Sequence, residues 1–177
     1  VSKDFVVLVN LQDEEIGVME KMEAHEKGML HRAFSVFLFN DKGEMLLQQR
    51  AEHKYHSGGL WTNTCCSHPK PGETPIQGAN RRLMEEMGIQ ADLEHQFSFA
   101  YKSDYENGLS EHEFDHVFFG SFNEAPILNP EEAMDWKYIG VEDLEKEVAE
   151  NPKDYTSWFL ICLPRVIENY KALQHNG

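Results

Sequence analysis

Cys66 and His68 stand two residues apart in Trp61-Thr-Asn-Thr-Cys-Cys-Ser-His-Pro69, just ahead of a segment in which Glu73, Arg81, Arg82, Glu85 and Glu86 fall at helical spacing. A thiol can pass a proton through its thiolate, an imidazole can bind a metal, and adjacent carboxylates can hold a hard divalent cation through oxygen ligands. Downstream, Glu111, Glu113 and Asp115 alternate with His112, Phe114 and His116, so in a strand the three carboxylates share one face. Two neighbouring carboxylates placed in that way can chelate one ion. On residue types alone there is a plainer reading of each. The helical charges are a solvated face laced by i,i+4 pairs, a free cysteine is a small buried hydrophobe, and a histidine is a surface or core residue.

These groups need elements to position them. Pro69, Pro71 and Gly72 make a tight loop that carries Cys66 and His68 into an amphipathic helix, which begins near Thr74 with Pro75 in its first turn and stops at Gly88. Upstream, Phe5 to Val9 reads as a strand, Gln12 to Gly17 as a polar turn and Val18 to Lys21 as the hairpin partner. A polar, Gly-containing connection holds Lys21, His25 and His31. Ala33 to Phe39 is apolar on both faces, as expected of a central strand covered on each side. Asn40 to Gly43 turns, and Glu44 to Gln49 returns as a strand that delivers Arg50 and Lys54 to a loop running through Ser57-Gly-Gly59. After the helix come a strand from Glu94 to Tyr101, a turn at Asn107-Gly108 and a long strand from Leu109 to Phe122. Pro126 and Pro130 mark a loop, Met134 to Ile139 a short strand, and Val141 starts a helix that Asn151-Pro152 breaks. A last helix runs from Thr156 to about Ala172, with Pro164 expected to bend it.

The bounds exclude several function classes. A chain of 177 residues with 41% apolar content can bury one sizeable core, so residues 1–177 are expected to form a single domain. With 31 acidic against 16 basic residues, the net charge of −15 repels phosphate polymers and anionic membranes, which argues against nucleic-acid or membrane partners. A small anionic substrate would need a local positive site. No apolar run approaches the roughly 20 residues of a membrane helix, and no signal-peptide pattern opens the chain. Three cysteines, Cys65, Cys66 and the distant Cys162, make neither a metal-binding pair nor an even disulfide framework, so a reducing cytoplasm fits best.

Read from Ser67, the string Ser67-x5-Glu73-x7-Arg81-Arg82-Leu83-x-Glu85-Glu86-x-Gly88-Ile89 resembles the Nudix box, G-x5-E-x7-R-E-U-x-E-E-x-G-U, with the same gaps throughout. It departs at Ser67, where the box has Gly, and at Arg82, where it has a Glu that helps hold the metals of diphosphate cleavage. An Arg there reverses a charge in that cluster and points away from hydrolysis, since its fork of donors suits binding of phosphate oxygens. Together with the strand from His31 to Phe39, the stretch from Glu20 to His25, Arg50-x3-Lys54 and Glu111-x-Glu113, the Trp61 to Pro69 segment resembles type 1 isopentenyl diphosphate isomerases. The match runs from about Phe5 to Trp158.

That resemblance implies an α/β (α+β) architecture, a Nudix-like mixed sheet sandwiched between helices with an added N-terminal hairpin and C-terminal helices. It implies movement of the double bond of isopentenyl diphosphate to give dimethylallyl diphosphate. By the family pattern His25, His31, His68, Glu111 and Glu113 hold a tightly bound divalent metal, Zn²⁺ or Mn²⁺, and imidazole with carboxylate suits Zn²⁺, Mn²⁺ or Fe²⁺ better than Mg²⁺. Mg²⁺ would enter with the substrate diphosphate, held by Glu86 and the Cys66 carbonyl. Lys21, Arg50, Lys54 and Arg82 match residues that neutralise the diphosphate, Cys66 and Glu113 match the proton-transfer pair, and Tyr101 matches a residue that hydrogen-bonds the Glu113 carboxyl. Trp158 matches an indole that closes over the isoprenoid. Cys65, His53, His56, His95, His112, His116 and His175 keep the ordinary reading. A monomer is the expected state. The competing readings are a Nudix hydrolase and a diphosphate- or metal-binding protein without turnover.

Overall fold

Strand β3 (His31–Phe39) is the axis of the molecule, since it pairs with four other strands. The computed structural model describes residues 4–54, 56–105 and 107–176. Among them run β1 (Phe5–Val9), β2 (Glu15–Glu20), α1 (Lys21–Lys27), β3, β4 (Glu44–Arg50), β5 (Trp61–Thr62), β6 (Cys65–Ser67), α2 (Pro75–Met87), β7 (Glu94–Asp104), β8 (Ser110–Ser121), β9 (Ala133–Gly140), α3 (Val141–Glu150) and α4 (Ser157–Asn176). The described strands form one mixed sheet: β8 lies parallel to β3, and the other pairings are antiparallel.

Because side chains alternate along a strand, β3 feeds two cores. Phe34, Val36 and Leu38 pack with Phe118 and Cys65 against Ala79, Leu83 and Met87 of α2. On the other face Phe37 and Phe39 pack with Phe97, Val117 and Phe119 against Leu144 of α3 and Phe159 and Val166 of α4. The sandwich of sheet between helices expected from the resemblance is therefore present, with the β1–β2 hairpin at the N-terminal end and α3 and α4 at the C-terminal end. Gly78 lets α2 approach closely, because a Cβ there would stand 3.0 Å from the Phe34 ring and 3.1 Å from the Pro69 Cα.

Most sequence-based boundaries hold within a few residues, and α2 begins and ends as expected. Thr74 caps it by accepting the Gln77 N–H at 3.3 Å while the Gln77 side chain accepts the Thr74 N–H at 2.9 Å, and Gly88 closes it at φ 63°. Three local expectations fail. The turn expected over Gln12 to Gly17 is shorter, because Asn10 Oδ1 accepts the N–H groups of Gln12 and Glu14 and strand pairing resumes at Glu15. The connection after Lys21 contains α1, whose seven residues are too few to show a helical period. Glu20 caps it by accepting the Glu23 N–H at 2.9 Å, and Gly28 ends it at φ 63°. The loop from Trp61 to Pro69 carries two short strands, β5 and β6.

Those short strands fill a split in the sheet. β3 and β4 pair through Phe39 and Met45, but the next pair in that register, Leu38 and Leu46, is held apart by Thr64. Its hydroxyl accepts the Leu38 N–H at 3.0 Å and donates to the Leu46 carbonyl at 2.6 Å. Beyond the split β3 continues with β6 and β8, and β4 with β5 and β9. Asn63 adds bonds to the carbonyls of Val36 and Cys65, at 2.9 and 3.0 Å. Thr64→Val would keep the shape and leave a buried N–H and a buried C=O unmatched, so the variant should lose about 2–3 kcal/mol of stability in urea unfolding. The melting temperature should fall by ~4–12 °C; an unchanged midpoint would mean that β3 and β4 close on each other directly.

Candidate active site

Four elements bring imidazoles and carboxylates to one buried point: His25 from α1, His31 from the start of β3, His68 from the loop after β6, and Glu111 and Glu113 from β8. His68 Nε2 lies 3.3 Å from His31 Nε2 and 3.3 Å from Glu113 Oε1, and His31 Nε2 is 3.9 Å from the same oxygen. His25 and His31 each present Nδ1 to a main-chain carbonyl, of Lys21 at 2.7 Å and Met29 at 2.8 Å. Those carbonyls accept the ring proton, so the Nε2 lone pairs face inward. Burial pushes His31 down to about 4 and His68 well below the usual imidazole range, which keeps both rings neutral.

Burial and the neighbouring Glu111 raise Glu113 well above the carboxylate range, whereas Glu111, despite its burial, is held well below it by bonds with Glu113, His25 and His56. Converging ring lone pairs beside two carboxylates form a donor set that fits Zn²⁺ or Mn²⁺. The five ligands expected from the resemblance do not converge equally. The candidate ligand atoms of His25, His31, His68 and Glu113 all lie within 4.8 Å of one another, while Glu111 groups with His25 and His56. His56 was expected to be an ordinary histidine. It is buried, with Nε2 3.0 Å from Glu111 Oε1.

Cys66 belongs to the same face. It pairs with Ser35 across the β3–β6 ladder, and its thiol donates to Asn63 Oδ1 at 2.9 Å. Ser35 Oγ lies 3.4 Å from the sulfur and donates to Asp115 Oδ2 at 2.7 Å. Burial, with Asp115 nearby, pushes the Cys66 thiol up to about 12. Cys65 turns the other way into the α2 core. Tyr101 pairs with Glu113 across β7–β8, but its hydroxyl donates to Glu111 Oε2 at 3.4 Å and not to Glu113, which corrects the expected bond. Three residues around the thiol were given no role from the sequence. Asp115 could have been found, since its alternation with Glu111 and Glu113 is visible. Ser35 hides in an apolar run, and the role of Asn63 depends on the split sheet.

A cleft of about 560 Å³ opens over these groups. Cys66, Tyr101, Glu113 and Trp158 line it together with Lys21, Arg50, Lys54 and Arg82, so all the expected substrate-binding residues meet in one place. Lys54 and Arg82 share Glu132, at 2.7 and 3.1 Å, a carboxylate not singled out in the sequence. Arg82 also binds Glu86 at 2.7 Å, and Gln48 Nε2 donates to Glu86 at 3.1 Å. Burial lowers Lys21, against the pull of Asp4 at 3.8 Å. The Nε groups of Arg50 and Arg82 and the Trp158 indole N–H are buried without a hydrogen-bond partner among the described residues. Orphaned donors beside a cationic cleft call for an anionic acceptor.

Residues 29–159 match the family described as the NUDIX domain. The sequence is similar to isopentenyl-diphosphate Delta-isomerase 2 of Aromatoleum aromaticum, at 50% identity over 93% of this chain and 87% of that protein. It is also similar to the isopentenyl-diphosphate Delta-isomerase of Pectobacterium atrosepticum, at 47% identity over 96% of this chain and 94% of that one. In fold it is similar to a crystal structure from Deinococcus radiodurans, with a TM-score of 0.77 at 18% identity, covering 92% of this chain and 98% of that one. A MutT protein from Methanosarcina mazei gives a TM-score of 0.66 at 19% identity, over 80% and 96% of the two chains.

Chelator-treated protein should regain heat stability when Zn²⁺ or Mn²⁺ is added, by about 4 kcal/mol at a thousandfold excess over Kd, on the order of 10 °C. His68→Ala should bring the metal content of purified protein close to zero on elemental analysis. Unchanged content would remove His68 from the ligand set.

Proposed function

Because this chain belongs to the isopentenyl-diphosphate Delta-isomerases of the Nudix family, we propose that it interconverts isopentenyl and dimethylallyl diphosphate for isoprenoid synthesis, and that Cys66 and Glu113 move the protons. One observation carries the assignment of residues. Cys66 and Glu113 stand on strands paired to opposite sides of β3, and both line the cationic cleft.

An alkene is a poor base, so its protonation gives a tertiary carbocation that must be kept from water and steadied. One member of the pair gives a proton to the terminal alkene carbon. The other takes one from the carbon next to the diphosphate-bearing methylene, which leaves the double bond one position along. Tyr101, through Glu111, holds the carboxylate side of the site, and Asn63 and Ser35 hold the thiol. Trp158 offers its ring to the cation, where a contact is worth roughly 0.5–2 kcal/mol. The Arg50 guanidinium already lies 5.1 Å from that ring's centroid. Lys21, Arg50, Lys54 and Arg82 bind the diphosphate, and the orphaned Arg50 and Arg82 Nε groups support this. His25, His31, His68, Glu111 and Glu113 would hold Zn²⁺ or Mn²⁺, and Glu86 with the Cys66 carbonyl would hold Mg²⁺ arriving with the diphosphate. The metals would supply charge that keeps Glu113 ionisable and the diphosphate neutralised.

The cleft draws on residues from Asp4 to Trp158, which supports a single domain acting as a monomer. Three free cysteines, a net charge of −15 and the lack of any described helix long and apolar enough to cross a membrane support a cytoplasmic protein with no nucleic-acid or membrane partner.

Isopentenyl diphosphate supplied with Mg²⁺ in D2O should yield deuterium-labelled dimethylallyl diphosphate, whereas released phosphate without a double-bond shift would mean hydrolysis. Cys66→Ala should lower turnover by about 10²–10⁴-fold. Cys65→Ala should leave most of it, and equal losses in both would show that the thiol was wrongly chosen.

A further inference from the structure

His56 lies in the connection between β4 and β5 and is 7% exposed. Its Nε2 is 3.0 Å from Glu111 Oε1, and the same oxygen lies 3.1 Å from His25 Nε2. The Nδ1 proton of His25 is engaged by the Lys21 carbonyl, so once its Nε2 lone pair is given to a metal His25 has no donor left for that carboxylate oxygen. In that state the oxygen is held only if another group donates to it. His56 can do so, because Ser57 Oγ, 3.1 Å from His56 Nδ1, can donate there and leave the ring proton on Nε2.

The ring itself is fixed from several sides. It stacks on Tyr105 at 4.4 Å between centroids with 10° between planes, and it meets Trp158 edge-on at 5.5 Å. Its main-chain carbonyl accepts from Arg50 Nη2 at 3.1 Å. One residue therefore touches a carboxylate of the metal centre, the indole of the cleft and an arginine of the diphosphate site. It also stands outside the group formed by His25, His31, His68 and Glu113 and reaches that group through Glu111.

We propose that His56 is a positioning residue that donates a hydrogen bond to Glu111 and so sets the carboxylate's orientation toward the metal. The inference rests on the metal centre proposed above, and carboxylate ligands are commonly oriented by such an outer donor, at a cost of about 10–100-fold in metal affinity when it is lost.

Two variants of the full chain separate this role from packing and from direct ligation. His56→Phe keeps a ring against Tyr105 and Trp158 and removes the donor. His56→Gln removes the ring and keeps an N–H at similar reach. Zinc affinity is measured by competition with a chromophoric chelator, first on the unaltered protein and then on both variants, with kcat and KM for isopentenyl diphosphate alongside. The expected result is a zinc dissociation constant raised about 10–100-fold in His56→Phe, with His56→Gln within about threefold of the unaltered protein. In His56→Phe, kcat should fall while KM changes by less than about threefold. Tight binding by both variants overturns the proposal, as does tight binding by Phe with weak binding by Gln, which would indicate packing. Weak binding by both overturns it in favour of direct ligation. No zinc binding by the unaltered protein would sink the metal centre itself, a failure readable before either variant is made.

Discussion

The insertion of Thr64 between Leu38 and Leu46 is the constraint on which the rest of the site depends. Had those two residues bonded to each other, β3 and β4 would have continued as an ordinary hairpin and left no room for β6. The wedge instead gives β3 a free edge at Phe34 to Val36, and Cys65 to Ser67 take it. Alternation along β6 then sends Cys65 into the α2 core and leaves Cys66 opposite Ser35. The Asn63 side chain that braces the split also accepts the thiol proton, so the hydrogen bonds that divide the sheet and those that orient the sulfur are one network.

Electrostatics explains how so acidic a chain can hold a diphosphate. Its cations are collected where carboxylates can keep them in place: Glu132 between Lys54 and Arg82, and Glu86 against Arg82. Arg50 and Arg82 each still have an Nε that meets no acceptor among the described residues. An anion arriving there gains hydrogen bonds that the folded protein leaves unmade, and it displaces little that is already paired. The departure from the Nudix box at Arg82 therefore has a structural reason, since its side chain joins helix α2 to Glu132 just ahead of β9.

How far the sequence foretold this depends on the range of the interaction concerned. Helix α2 was legible because its signals are local: Thr74, Pro75, Gln77 and Gly88 each act on the backbone beside them. The shared face of Glu111, Glu113 and Asp115 was legible because strand alternation is also local. Helix α1 was not, since two turns carry too few residues for a period and its caps are glutamate and glycine in a polar stretch. His56 could not be told from the other histidines, because its value lies in Glu111, 55 positions away. Tyr101 shows the same limit at finer grain: register set it opposite Glu113, and the direction of its side chain gave the bond to Glu111.

Strand β8 pairs with β7 from Ser110 to Phe119 and is zipped against β3 as well from Glu113 onward, with Glu111, Glu113 and Asp115 leading on one face into Val117 and Phe119. A strand held on both sides works as a ruler whose only divisions are residues, about 3.3 Å each. To move a carboxylate slightly, the strand would have to slip by a whole residue, which would turn the acidic side chains outward, or by two, which would drag Val117 or Phe119 out of the core. The spacing of the proposed ligands is thus quantised by the ladder and guarded by the apolar half of the same strand. Divergence in this protein can change which residue stands at a mark on that ruler far more easily than where the marks lie.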